Sequence, residues 1–179
     1  MLWWRLNQNS GSTTVTDASG NGYNGTINSG VTSSGTTTGA FTGPNEGSTT
    51  FAGGAASTTA TPPASSIWTA NAAALQLGQF TVEAWVRLSS APTNWQTIVA
   101  HGVNPSRNYN LYTNSDLRVA LTFATSAGLA YLDVPAALVV GKWTHVAATY
   151  DGSVARIYVN GQLAANRVVG GPALTTITS

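Results

Sequence analysis

Residues 142–165 read KWTHVAATYDGSVARIYVNGQLAA, and this stretch decides the fold. It holds three runs rich in Val, Ala, Thr, Ile and Tyr, separated by Asp151-Gly152 and Asn160-Gly161. Asp-Gly and Asn-Gly pairs tolerate the positive φ angles that a tight hairpin demands. The stretch therefore predicts a three-stranded antiparallel meander.

Working outward, FTVEAWVRL at 80–88 alternates with period two. Phe80, Val82, Ala84, Val86 and Leu88 take one side, and Thr81, Glu83, Trp85 and Arg87 the other. WQTIVAHG (95–102), YNLYTN (109–114) and LRVALTF (117–123) read as short strands between Gly, Asn, Pro and Ser. LWWRL (2–6) is a further strand candidate. The Ser/Thr/Gly/Ala/Pro-rich stretch 30–66 suits short edge strands through its Thr runs, with Phe41 and Phe51 as anchors to the core. The one helix candidate is WTANAAALQLG (68–78), a turn or two long. Many short strands and almost no helix predict an all-β chain, a two-sheet antiparallel β-sandwich or jelly roll. At 179 residues it is expected to form one domain over 1–179.

Only 7% of residues are charged, against roughly 25% in ordinary domains, so the polar surface is built from Ser, Thr, Asn, Gln and Gly. That composition is associated with work outside a cell. The seven basic residues are scattered and the net charge is +1, which leaves no footprint for nucleic acid. There is no cysteine, hence no disulfide framework or thiolate metal site. No apolar run approaches the roughly 20 residues of a membrane span. MLWWRLNQNS lacks the basic start and apolar stretch of a signal peptide. Two routes outward remain open, a leader removed upstream or export on a virion.

GNGYNG (20–25) has the G-x-G-x-x-G spacing of a dinucleotide-binding loop. Such a loop must open a helix whose N-terminal amides hold the pyrophosphate. Here β-branched residues and further glycines follow, no βαβ unit exists, and the nucleotide reading fails. Two readings remain. In one, Asp17 braces a turn and the glycines supply left-handed backbone. In the other, Asp17, Asn21 and Asn24 are oxygen donors to a calcium ion. With a single carboxylate, residue chemistry favours the plain turn.

WWRLNQNSGSTTVTDASGNGYNGTI, FTVEAWVRL and GKWTHVAATYDGSVARIYVNGQLAA, in that order, resemble the laminin-G-like jelly-roll domain of the concanavalin A-like lectin/glucanase superfamily. The resemblance covers Trp3 to about Ala165. It implies a two-sheet jelly roll serving in non-catalytic recognition or adhesion, often of glycans. It also implies a structural calcium near the Asp-Gly-Asn turn, here Asp17 and Gly20–Gly25, which brings the turn and calcium readings level. Trp3, Trp85 and Trp143 match recurrent family positions expected in the core, while Trp4 faces out or covers the other sheet. The chain departs from the family at its end. After VNGQLAA the family continues to a closing strand with an acidic residue, and only NRVVGGPALTTITS stands here. Either the sequence is a fragment or the sandwich closes otherwise, with a neighbouring chain's strand as one means.

Catalysis finds little support in the residues. Retaining glycosidases need two carboxyl groups about 5–5.5 Å apart, and the four Asp and two Glu offer no same-strand pair. Glu83 is expected to pair with an arginine across the sheet. Two histidines and no Gly-x-Ser-x-Gly elbow leave no visible nucleophile, and His145 reads as structural. The chain reads as a non-enzyme. Glycan sites combine an aromatic face with amide and charged groups, and Trp95, Arg107, Asn108, Tyr109, Asn110 and Tyr112 have that chemistry. The competing reading makes Trp95 and a tyrosine plugs of the sandwich end. The expected function is a carbohydrate-binding or adhesion module on an extracellular or virion surface, partnered by a glycan or surface protein. The alternative is a structural phage virion protein contacting other virion chains. A glycoside hydrolase is the weakest reading.

Overall fold

The computed structural model describes residues 1–33, 39–41, 46–53, 62–102 and 107–174. The chain divides into two compact units, Met1–Leu75 and Gln76–Ser179. Among the described residues there is no α-helix, and the only helical piece is one 3-10 turn at Ala73–Leu75.

The first unit holds two small antiparallel sheets. β1 (Thr14–Val15), β2 (Gly25–Ile27) and β5 (Ile67–Trp68) form one, in the order β1-β2-β5. β3 (Val31–Ser33) and β4 (Thr49–Phe51) form the other. Expectations for this unit are corrected in three places. LWWRL is not a strand, because only Trp4 bridges Asp17 before Leu6, at φ 58°, turns the chain out of extended conformation. The expected helix begins later and is shorter, because Ile67 and Trp68 are claimed by pairing with Ile27 and Thr26. Phe41 and Phe51 are exposed rather than anchoring. Within the Thr-rich stretch 30–66, β3 and β4 are short strands as expected, while 34–38, 42–45 and 54–61 lie outside the described residues.

The second unit is the sandwich. β6 (Phe80–Val86), β7 (Gln96–His101), β8 (Tyr109–Thr113), β9 (Val119–Thr125), β10 (Gly128–Val134), β11 (Thr144–Tyr150), β12 (Val154–Val159) and β13 (Gln162–Val168) form two four-stranded antiparallel sheets. Their orders are β10-β9-β8-β7 and β13-β12-β11-β6. The meander read at 142–165 is present as β11, β12 and β13. Its second turn has Asn160 at φ 50° and Gly161 at φ 78°, the mirror-image turn whose twist suits a hairpin.

The two inner faces meet in one core. Phe80 and Val82 on β6, Val146, Ala148 and Tyr150 on β11, and Ala155 and Ile157 on β12 oppose Tyr109 and Leu111 on β8 and Val119, Leu121 and Phe123 on β9. Phe80 sits 5.3 Å from the Tyr109 ring and 5.4 Å from that of Phe123, which in turn lies 4.5 Å from Tyr150. Each fully buried side chain of this size contributes roughly 1.5–3 kcal/mol of transfer free energy. Beyond β13 the chain crosses between the sheets. Val169 N–H donates to the Ser153 carbonyl at 2.7 Å, the Tyr150 hydroxyl donates to the Gly171 carbonyl, and Ala173 bridges Thr125. The remainder of the expected closing region, 175–179, lies outside the described residues.

Three sandwich expectations are also corrected. Trp85 is 42% exposed, as the alternation with Glu83 implies and the family position does not. Trp143 is half-buried, beneath the Arg87 guanidinium at 5.4 Å, and Trp3 in the first unit is exposed. Glu83 meets His145 rather than an arginine, Oε2 to Nε2 at 3.6 Å, because β11 presents that imidazole beside it.

Candidate functional site

The Asp17 turn in the first unit is built around one carboxylate. Oδ1 accepts the N–H groups of Trp3 and Ser19, both at 2.9 Å. Oδ2 accepts the Ser19 hydroxyl at 2.8 Å and the Tyr23 N–H at 3.1 Å. Burial alone would raise this carboxyl's pKa, but the bonds from Trp3, Ser19 and Tyr23 outweigh it and hold the group well below the usual carboxylate range. Asn24 Oδ1 is taken by the Asp17 N–H at 2.9 Å, and Asn21 turns its Nδ2 to the Met1 carbonyl and the Ser19 hydroxyl. A calcium ion needs six to eight oxygens with lone pairs turned toward it. Here four donors already occupy the one carboxylate, and Asn24's oxygen faces an amide, so this arrangement does not fit the ion. Among the described residues no cluster of three or more His, Cys, Asp or Glu could hold a metal.

The same geometry explains the glycines. Gly20 and Gly22 sit at φ 81° and 79°, where other residues are strained. Gly25 is needed for space, because a Cβ there would lie 2.6 Å from Ile67 Cγ2 and 2.9 Å from Trp4 Cζ2.

In the sandwich, the residues of the β10-β9-β8-β7 sheet that alternate with core positions form its outer face. Register sets Tyr112 between Thr97 and Ala120, with Asp133 beyond Ala120. The next row runs Ala100, Asn110, Thr122, Tyr131. Trp95 precedes β7, is 44% exposed, and meets Tyr112 edge-on with ring centroids 4.9 Å apart. Arg107 donates to Thr122 Oγ1 at 3.3 Å. Burial pushes the Tyr112 hydroxyl's pKa up, reinforced by Tyr131 and Asp133 and opposed by Arg107 and Thr122. Asn110 Oδ1 is buried and has no hydrogen-bond donor among the described residues. Small Ala120 and Thr122 form the floor between the two tyrosines.

Of the residues expected at a ligand site, the structure brings together Trp95, Arg107, Asn110 and Tyr112. It places Asn108 and Tyr109 elsewhere. Asn108 is completely buried, its Oδ1 accepting the Leu77 N–H and its Nδ2 donating to the Leu77 and Leu174 carbonyls, all at 2.8 Å. Tyr109 packs on Phe80, and burial raises its hydroxyl pKa to about 12. Thr122, Tyr131 and Asp133 join the face unannounced. Their signal was the alternation of β9 and β10, legible only once the hairpin register is known.

The carboxylates nearest this face are paired with one guanidinium. Arg118 binds Asp116 and, at 2.5 Å, Asp133, and its hydrogen bond holds the Asp116 carboxyl below its ordinary pKa. A glycosidase's acid needs a carboxyl whose pKa is raised, whereas that of Asp116 is lowered.

The model of a domain in the concanavalin A-like lectin/glucanase superfamily matches residues 63–179. No curated protein matches the chain. Among solved structures, the CBM40 module of a Ruminococcus gnavus IT-sialidase is similar at 21% identity and TM-score 0.50, over 59% of this chain and 62% of that one. The same module bound to α2,3-sialyllactose gives 20% identity and TM-score 0.49, over 57% of this chain and 60% of that one. An S-layer domain-containing protein from Clostridium thermocellum gives 22% identity and TM-score 0.46, over 93% of this chain and 71% of that one. The chain thus spans about 60% of the length of the first of these modules.

Proposed function

Because the chain belongs to the concanavalin A-like lectin/glucanase superfamily, we propose that it is a non-catalytic carbohydrate-binding module working outside the cell. The observation that carries this reading is the outer face of the β10-β9-β8-β7 sheet. An exposed indole stands against a buried tyrosine, beside a guanidinium whose side-chain bond among the described residues is to Thr122. A pyranose ring supplies an apolar C–H face for Trp95 and acceptor oxygens for Arg107. The sandwich fold shared with a sialidase's carbohydrate-binding module supports the reading. So does the low charge of the chain. No helix among the described residues is long and apolar enough to cross a membrane.

The test is a glycan screen followed by calorimetric titration of the best ligand. Saturable binding is expected, and Trp95→Ala should weaken it by about tenfold or more, roughly 1.4 kcal/mol, with circular dichroism unchanged. Absence of binding to every glycan, or binding indifferent to Trp95→Ala, sinks the proposal. Turnover of any polysaccharide overturns its non-catalytic half.

A further inference from the structure

A second cluster lies on the opposite sheet. Val82, Val146, Ala148, Ala155 and Ile157 point into the core, so Glu83, Trp85, His145, Ala147 and Tyr158 take the outer face of β13-β12-β11-β6. The register sets His145 opposite Trp85, and Ala147 between Glu83 and Tyr158. Trp85 is 42% exposed, and its ring centroid lies 5.3 Å from that of the His145 imidazole. The Glu83 side chain is 64% exposed. Ala147, small and 7% exposed, forms the floor of a shallow dip between these larger side chains.

Neither guanidinium near this dip pairs with Glu83. Arg87 is laid over Trp143, 5.4 Å from its ring centroid, and Arg156 is held by Asp151 at 2.6 Å. The ionic partner of Glu83 among the described residues is the His145 imidazole, with Nε2 3.6 Å from Oε2. The dip therefore offers an exposed carboxylate beside an exposed indole, with both nearby guanidinium groups engaged elsewhere. A carboxylate and an aromatic face both attract a cation, the second through its quadrupole. The indole also offers a flat apolar surface as wide as a sugar ring.

We propose that this face is a second, separate binding site, and that it takes an amine-bearing sugar, a hexosamine unit with a free 2-amino group. The C–H face of the sugar stacks on Trp85, and its ammonium lies at the Glu83 carboxylate. Tyr158 and His145 bound the dip on either side and accept or donate to ring hydroxyls. The site is independent of the Trp95 face and stands if that face binds nothing.

The test is calorimetric titration at pH 7 with a deacetylated glucosamine oligosaccharide and with its fully N-acetylated counterpart. The deacetylated oligomer should bind, and the acetylated form should bind roughly fivefold or more weakly, the scale of a cation–aromatic and charge-assisted contact. Glu83→Gln, which keeps shape on an exposed strand position, should cost a similar factor. Trp85→Ala should abolish this preference for the deacetylated oligomer, and added salt should reduce it. Equal affinity for the two oligomers, unchanged binding in Glu83→Gln, or no binding of the deacetylated oligomer overturns the proposal. So does a preference that survives Trp85→Ala. Sedimentation showing a dimer that Trp85→Ala dissolves would assign the face to a second copy of the chain and also overturn it.

Discussion

Asp17 shows how one side chain can organise a turn that its glycines only permit. Its four accepted hydrogen bonds tie Trp3, Ser19 and Tyr23 to one point. The folded-state carboxyl is held below its ordinary value, so the unfolded chain takes up the proton first as pH falls. The stabilisation from this group is therefore complete above the unfolded pKa, near 4, and is lost as pH falls through the folded pKa. Asp151 behaves alike. Its partners Arg156, Val154 N–H and Ser153 N–H hold it at about 2. Asp17→Asn replaces one accepting oxygen with a donor and strands the donors that faced it. Urea unfolding should show this variant destabilised at pH 7, with the gap to the wild type narrowing toward pH 3. A gap that stays constant across that range would mean the charge of Asp17 contributes nothing.

Between β12 and β13, a single two-residue turn carries the geometry of the element. Asn160 occupies left-handed backbone and also accepts the His145 N–H through Oδ1 at 3.0 Å. Asn160→Ala loses both, at an expected cost of about 2 kcal/mol. Asn160→Gly keeps the backbone freedom and should lose about half as much. Urea midpoints for the two variants check this, and an alanine variant as stable as the wild type would refute it. The same turn was legible beforehand because Asn-Gly leaves the chain few choices. β6 was legible because its buried and exposed residues alternate. β9 was less so, since all seven of its residues are buried and Ala and Thr on its outer side look the same as core. The strand expected at LWWRL had the right residues and the wrong backbone, because Leu6 leaves extended conformation and no periodicity reveals that.

At the scale of the molecule, the sandwich was readable from spacing, while the site was readable only in part. Trp95, Arg107, Asn110 and Tyr112 share chemistry that a sequence displays. Tyr131 and Asp133 reach the same face through the pairing of Gly128 with Thr125 across a hairpin, and no composition rule fixes that register. Asn108 misleads for the opposite reason, since an amide that binds a sugar and one that pins two backbone segments look identical in a sequence. With the Asp17 oxygens already filled, thermal unfolding should give the same Tm in millimolar calcium as in chelator. A Tm that rises with calcium would show the turn rearranging to bind the ion, or ligands recruited from elsewhere. Finally, none of the six tryptophans belongs to the buried core: Trp3, Trp68, Trp85 and Trp95 are exposed, and Trp4 and Trp143 half-buried. The interior is instead lined by Phe80, Tyr109, Phe123 and Tyr150. The chain therefore carries two separate optical channels. Indole emission reports on its skin and on whatever settles there, while the near-ultraviolet dichroism of tyrosine and phenylalanine reports on whether the sandwich is closed.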